Sequence, residues 1–199
     1  MPALTSPEDL LQVWFGAPGA DPLAASKRWF AKDDAFDRAL REQFEPTLEA
    51  GGRGELSSWA TTTRGRLALV ILFDQLSRNL FRQSPRSFAQ DELALALTLA
   101  MLADGEDRAL APTERYFVLM PLMHAEDAAL QQRCVAEFEA LLAEAPAWAK
   151  GLFAGAVDYA KRHAAIVERF GRFPHRNAIL GRASTPEEVA FLQQPGSSF

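Results

Sequence analysis

Apolar residues recur along this chain at intervals of three and four, the spacing of one buried face of an α-helix. Ser6-Pro7-Glu8-Asp9 supplies an N-cap, a first-turn proline and two acids. Leu10, Leu11, Val13, Trp14 and Phe15 follow, and Gly16 stops the helix. Trp29, Phe30, Phe36, Leu40, Phe44 and Leu48 predict one helical region over 26–49, ended by Gly51-Gly52. A short helix is expected over 55–61, around Trp59. The helix predicted over 64–81 is apolar on every side from Leu67 to Phe73, which marks a central, buried element. Ser84-Pro85 opens a helix to about 102, and Gly105 breaks it. Leu and Ala alternate within it like a strand, but both are strong helix formers and β-branched residues are scarce there.

Pro112-Thr113-Glu114 starts another helix, which Pro121 is expected to kink or end because it has no N–H to give. Helices over 126–145 and 150–170 are closed by Pro146 and Gly171. A short one covers 174–180. Thr185-Pro186-Glu187-Glu188 is a capping box that starts the last helix. The pattern predicts an all-α fold of eight to ten helices. Short connections pair them as antiparallel helical hairpins. With no hairpin signals for strands and no internal linker, residues 1–194 are expected to form a single domain and 195–199 a loose tail.

Composition narrows the function classes. The chain has 199 residues, 48% hydrophobic and 24% charged, which is globular rather than disordered. Its net charge of -5 argues against a nucleic-acid partner. The longest apolar run, 67–73, is far short of the ~20 residues a membrane helix needs, so no membrane association is expected. No signal peptide is recognised, and the expected location is cytoplasmic. The single cysteine, Cys134, excludes an internal disulfide. Its register with Leu130, Phe138 and Leu141 predicts a buried thiol.

Local charge departs from the total. Residues 64–86 carry five arginines against Asp74, and residues 161–182 carry six cationic residues against Glu168. If the two segments meet, they form a cationic cleft that concentrates small anions. Otherwise each arginine has its own carboxylate. Asp74, Arg78 and Arg82 share a helix face beside Gln75 and Asn79, as a network between helices or a pocket floor. His124 precedes a helix whose first turn is expected to hold Glu126 and Asp127. His163 sits beside an apolar stripe as a boundary histidine. The densest polar stretch is Phe170-Gly171-Arg172-Phe173-Pro174-His175-Arg176-Asn177, where one helix stops and another is expected to start. Its side chains donate to anions, and its histidine moves protons near neutral pH.

Three long motifs occur here in order: the run from Arg64 through Leu69-Val70-Ile71-Leu72-Phe73-Asp74-Gln75 to Asn79, then Pro121-Leu122-Met123-His124 with Glu126, then the 170–177 stretch continuing to Gly181-Arg182. Together with Val13-Trp14-Phe15-Gly16 and Thr185-Pro186-Glu187-Glu188, they resemble the bacterial family catalogued as domain of unknown function 924 over essentially the whole chain. The resemblance implies a helical fold similar to tetratricopeptide-repeat hairpins. It supplies no activity. Leu76-Ser77 stands where the family carries Phe-Pro.

The residues support a site for a small anion bearing phosphate or carboxylate. Arg78, Arg82, Arg172 and Arg176 would neutralise it and Asn79 and Asn177 would orient it. Any proton transfer would fall to His175 or His124, oriented by Asp74 or Glu126. No cofactor and no metal are expected, because no Cys or His pair has ligand spacing. The rival is a helical-hairpin scaffold that binds a peptide or protein partner. Whether the chain catalyses a reaction, and its oligomeric state, stay open.

Overall fold

The computed structural model describes residues 4–29 and 31–198; Phe30 and Phe199 lie outside them. The chain divides into two compact units. Unit 1 is Met1–Arg82 with Arg86–Pro121, and unit 2 is Gln83–Pro85 with Leu122–Phe199. Among the described residues there is no strand, so the chain is all-α as expected.

Unit 1 holds α1 (Pro7–Phe15), α2 (Pro22–Trp29), α3 (Asp34–Gly52), α4 (Thr63–Val70), α5 (Ser77–Leu80), α6 (Asp91–Asp104) and most of α7 (Pro112–His124). Ser6 closes a capping box with Asp9 at the start of α1. The region expected as one helix over 26–49 is instead α2 and α3. Asp33 causes the break: its carboxylate accepts the N–H groups of Ala35 and Phe36, so the chain restarts there as a new helix. The rings of Trp14, Phe15 and Trp29 meet Phe117 edge-on at 5.4, 5.6 and 4.8 Å. Trp29 Nε1 also donates to the Trp14 carbonyl, fixing α2 on α1.

The helical run predicted over 64–81 is present, with one feature the pattern did not disclose. Between α4 and α5, Ile71–Leu76 widens into a π-helical turn, and all six of its residues are buried. Its entry is equally tight. A Cβ on Gly65 would stand 2.0 Å from the Trp59 carbonyl oxygen, so only glycine fits. The helix expected from Ser84 begins later: Pro85–Phe88 is a single 3₁₀ turn, and α6 starts at Asp91. Pro121 does not end α7, which continues to His124. Thr98 Oγ1 donates to the Val118 carbonyl, satisfying one acceptor in that stretch.

Unit 2 holds the end of α7, then α8 (Ala128–Glu144), α9 (Lys150–Phe170) and α10 (Pro186–Leu192). Helices α8 and α9 pack on each other across the short connection at Pro146, forming a helical hairpin. Cys134, Phe138, Phe153 and Phe173 are fully buried in this unit. Burial pushes the Cys134 thiol far above its ordinary range, which leaves it inert. Glu126 and Asp127 are not first-turn acids of α8. Asp127 is its N-cap, accepting from Leu130, and Glu126 stands outside the helix. The helix expected over 174–180 shrinks to one 3₁₀ turn, Pro174–Arg176. In the tail, Ser197 is buried and donates to the Leu192 carbonyl. No helix among the described residues is long and apolar enough to cross a membrane.

Candidate functional site

Four candidates, Asp74, Arg78, Asn79 and Arg82, lie in unit 1, and six, His124, Glu126, Arg172, His175, Arg176 and Asn177, lie in unit 2. In unit 1 the π-turn, α5 and the residues just after it bring the four into two networks. Arg78 grips Asp91 with both arms at 2.9 Å and reaches Asp74 Oδ1 at 3.1 Å. Asp74, fully buried, also accepts from Gln75 Nε2 at 2.5 Å. Burial opposes the charge on Arg78, but Asp74 and Asp91 outweigh it and raise its pKa. One turn on, Asp37 accepts from Asn79 at 2.8 Å and from Arg82 Nε at 2.5 Å. The other arginines of 64–86 also meet carboxylates: Arg64 with Glu8 and Glu114, Arg66 with Asp104 and Glu106, Arg86 with Glu45 and Glu49. For this segment the contacts are those of a network that ties helices together.

Unit 1 also has an open concavity of about 600 Å³, walled by Leu11, Phe15 and Pro22 and rimmed by the Glu8–Arg64–Glu114 cluster. None of the ten candidates lines it, and its charged rim is closed on itself by ion pairs.

In unit 2 the chain around Phe173 is clamped on both sides. Glu126 accepts the Phe173 N–H at 2.8 Å and binds Arg182 at 2.6 and 2.9 Å, while Arg182 donates to the Phe173 carbonyl at 3.2 Å. Burial works against the Glu126 carboxylate, yet these donors bring its pKa below the usual range. Glu188 holds the next segment. It accepts Arg172 at 2.7 and 2.8 Å, the Thr185 N–H at 2.7 Å and Asn177 at 3.3 Å. Its hydrogen bonds from Arg172 first, then from the backbone, hold it down to about 2.

Those clamps fix the buried Phe173 ring, and the polar cluster forms around it. The Arg176 guanidinium lies 4.6 Å from the ring centroid and is only 6% exposed. His163 meets the ring edge-on at 5.4 Å, and His175 tilts against it at 5.7 Å. His124, at the end of α7, stands 6.4 Å from His163. The Nδ1 of His163 lies 2.8 Å from the Tyr159 carbonyl; a neutral ring there carries its proton on Nδ1 and leaves Nε2 as an acceptor. Burial, reinforced by neighbouring positive charge, lowers His163 to about 3 and His175 to about 4. Both are neutral at pH 7. Among the described residues no group of three or more His, Cys, Asp or Glu side chains has the arrangement of a metal site.

The short helix expected around Arg176 would leave first-turn N–H groups open to an anion, and the structure differs. With one 3₁₀ turn only, the Arg176 and Asn177 N–H groups donate to the Phe173 and Pro174 carbonyls. Sequence reasoning also missed several members. In sequence His163 marks only a boundary position and Glu188 only half of a capping box, and Gln131 has no local signal.

The sequence profile of a family described as bacterial protein of unknown function, DUF924, matches residues 10–196. The chain belongs to this family. It is also similar to the solved structure of a protein of unknown function, ATU0120, from Agrobacterium tumefaciens, at 36% identity and a TM-score of 0.79. The alignment covers 94% of this chain and 96% of that one. No curated protein matches. DUF924 membership thus agrees with the helical fold and adds no reaction to the Phe173 cluster.

Proposed function

We propose that this DUF924 protein binds a small anion bearing phosphate or carboxylate, and that Arg176, His175 and His124 in unit 2 hold it. One observation carries the reading: a buried guanidinium and the imidazoles of His163 and His175 pack on a single clamped phenylalanine ring, with His124 beside His163. A guanidinium held in low dielectric attracts an anion more strongly than one in water. Imidazoles that are neutral at pH 7 can donate a hydrogen bond or take up a proton as an anion arrives. Arg172, Arg182, Asn177 and Glu126 act as the frame: Arg172 binds Glu188, Arg182 binds Asn177 and Glu126, and Glu126 accepts the Phe173 N–H. Arg78, Asn79 and Arg82 play the same framing part in unit 1. If a proton is moved, His175 is the residue to move it, with Glu126 as the carboxylate that favours its charged form.

The scaffold reading has its own support in two exposed aromatic side chains of the α8–α9 hairpin, Trp148 at 41% and Tyr159 at 51% exposure. The cluster around Phe173 favours the ligand.

Thermal unfolding of the purified protein with inorganic phosphate, glycerol phosphate and citrate tests the proposal. At least one should raise the midpoint with saturable concentration dependence, and Arg176→Gln should abolish that rise. No shift from any of them, or equal shifts in the variant, would overturn it.

A further inference from the structure

Gln131 is the polar residue that begins the buried face of α8, ahead of Cys134, Phe138 and Leu141. Nothing in its local sequence asks for an amide there. A helix ends with a turn of carbonyls that lack intrahelical donors, and these need partners wherever they are buried. Helix α7 ends in this way at His124. The Gln131 side-chain Nε2 lies 2.7 Å from the Met123 carbonyl, 2.7 Å from the Ala125 carbonyl and 3.3 Å from the Leu122 carbonyl. Its two protons serve the two short contacts, and the longer one is shared. These acceptors bracket His124 on both sides along the chain. The side chain is 1% exposed, so water does not compete for the amide. The contacts also fix which way the amide faces. Its Oε1 is then left buried with no hydrogen-bonding partner among the described residues. Leaving a buried acceptor unmade is unfavourable, and the three-carbonyl contact offsets it.

We infer that Gln131 is the positioning residue of His124: by tying down the carbonyls before and after it, the amide fixes where the imidazole stands relative to His163 and the Phe173 cluster. The backbone at 122–125 is short of regular partners. The Ala125 N–H donates to the Leu122 carbonyl at a long 3.3 Å, and α8 restarts at its own cap, Asp127. This inference goes beyond anion binding and does not depend on it, since it concerns the geometry of the protein alone.

Nuclear magnetic resonance of the full chain tests it without any ligand. In the unmodified protein the ring protons of His124 and His163 should give a cross-peak, as should those of His163 and Phe173. Gln131→Met keeps the volume and removes the donor. It should lose the His124–His163 cross-peak and shift the His124 imidazole nitrogen signals, while the His163–Phe173 cross-peak stays. Gln131→Glu, which turns carboxylate oxygens toward the carbonyls, should do the same. Unchanged His124 signals in these folded variants would overturn the inference, even if stability falls, because Gln131 would then be structural only. Should both variants fail to fold, the unmodified protein decides. The Gln131 side-chain amide protons should exchange with solvent about 100-fold more slowly than those of the exposed Gln12. Equal rates would refute the clamp. Loss of the clamp with phosphate binding intact, or the reverse, separates this inference from the proposed function.

Discussion

Glu188 accepts from both Nε and Nη2 of Arg172 while its own carboxylate also closes the capping box of α10 on Thr185. One buried side chain thus joins the last helix to the turn that carries His175 and Arg176. Replacing it should loosen both. Glu188→Ala removes the cap contact and leaves Arg172 and Asn177 without that acceptor, so it should cost about 2 kcal/mol in urea unfolding at pH 7. Glu188→Gln, which can still complete a capping box, should cost less. Equal stability of all three proteins would show that the cluster does not hold α10.

The same carboxylate has a signature in acid. Its folded pKa is about 2, below the ordinary 4.5. A depressed carboxylate contributes stability that is present above pH 4.5 and lost as pH falls toward 2. Urea midpoints of the unmodified protein should therefore drop through that window more steeply than those of Glu188→Gln. Parallel profiles would contradict the assignment.

Arg78 tests whether unit 1 is a frame. It stands between Asp74, which is fully buried, and Asp91. Arg78→Ala leaves both carboxylates without this partner and should cost about 3 kcal/mol or more. A loss below about 1 kcal/mol, as for an ordinary surface residue, would return Arg78 to the list of ligand-binding candidates.

Much of this fold was legible because its helices are punctuated. Gly16, Gly105 and Gly171 close α1, α6 and α9 where the sequence places them, the last two in the left-handed conformation. Thr185 and Glu188 open α10 as their spacing requires. What stayed hidden had no local signature. The apolar periodicity runs across Asp33 without interruption, so the cap there was masked by the residues around it. The π-turn lies in a stretch apolar on every side, where no face distinguishes one helical pitch from another. The site was half legible. Arginine, histidine and asparagine announced the turn, but what each one touches is set by residues far away in sequence, such as Asp37 for Asn79 and Glu126 for Arg182.

The buried imidazoles predict a second pH effect. His163 and His175 have folded pKa values near 3 and 4, below the ordinary 6.5. The unfolded chain binds their protons first, so their contribution is present above pH 6.5 and lost as pH falls toward 4. Each contributes a slope of up to about 1.4 kcal/mol per pH unit in that range. His163→Phe, which keeps a ring against Phe173, should flatten the decline in stability between pH 6.5 and 4. An unchanged slope would mean that His163 is not held neutral by its surroundings.

Anion binding at the Phe173 cluster is tested most directly by following the imidazole nitrogen signals of His124, His163 and His175 at pH 7 while inorganic phosphate or citrate is added. The account predicts saturable movement of the His175 and His124 signals with at least one of the two anions, and its loss in Arg176→Gln. Signals that stay in place with both anions, or that move equally in the variant, would contradict it.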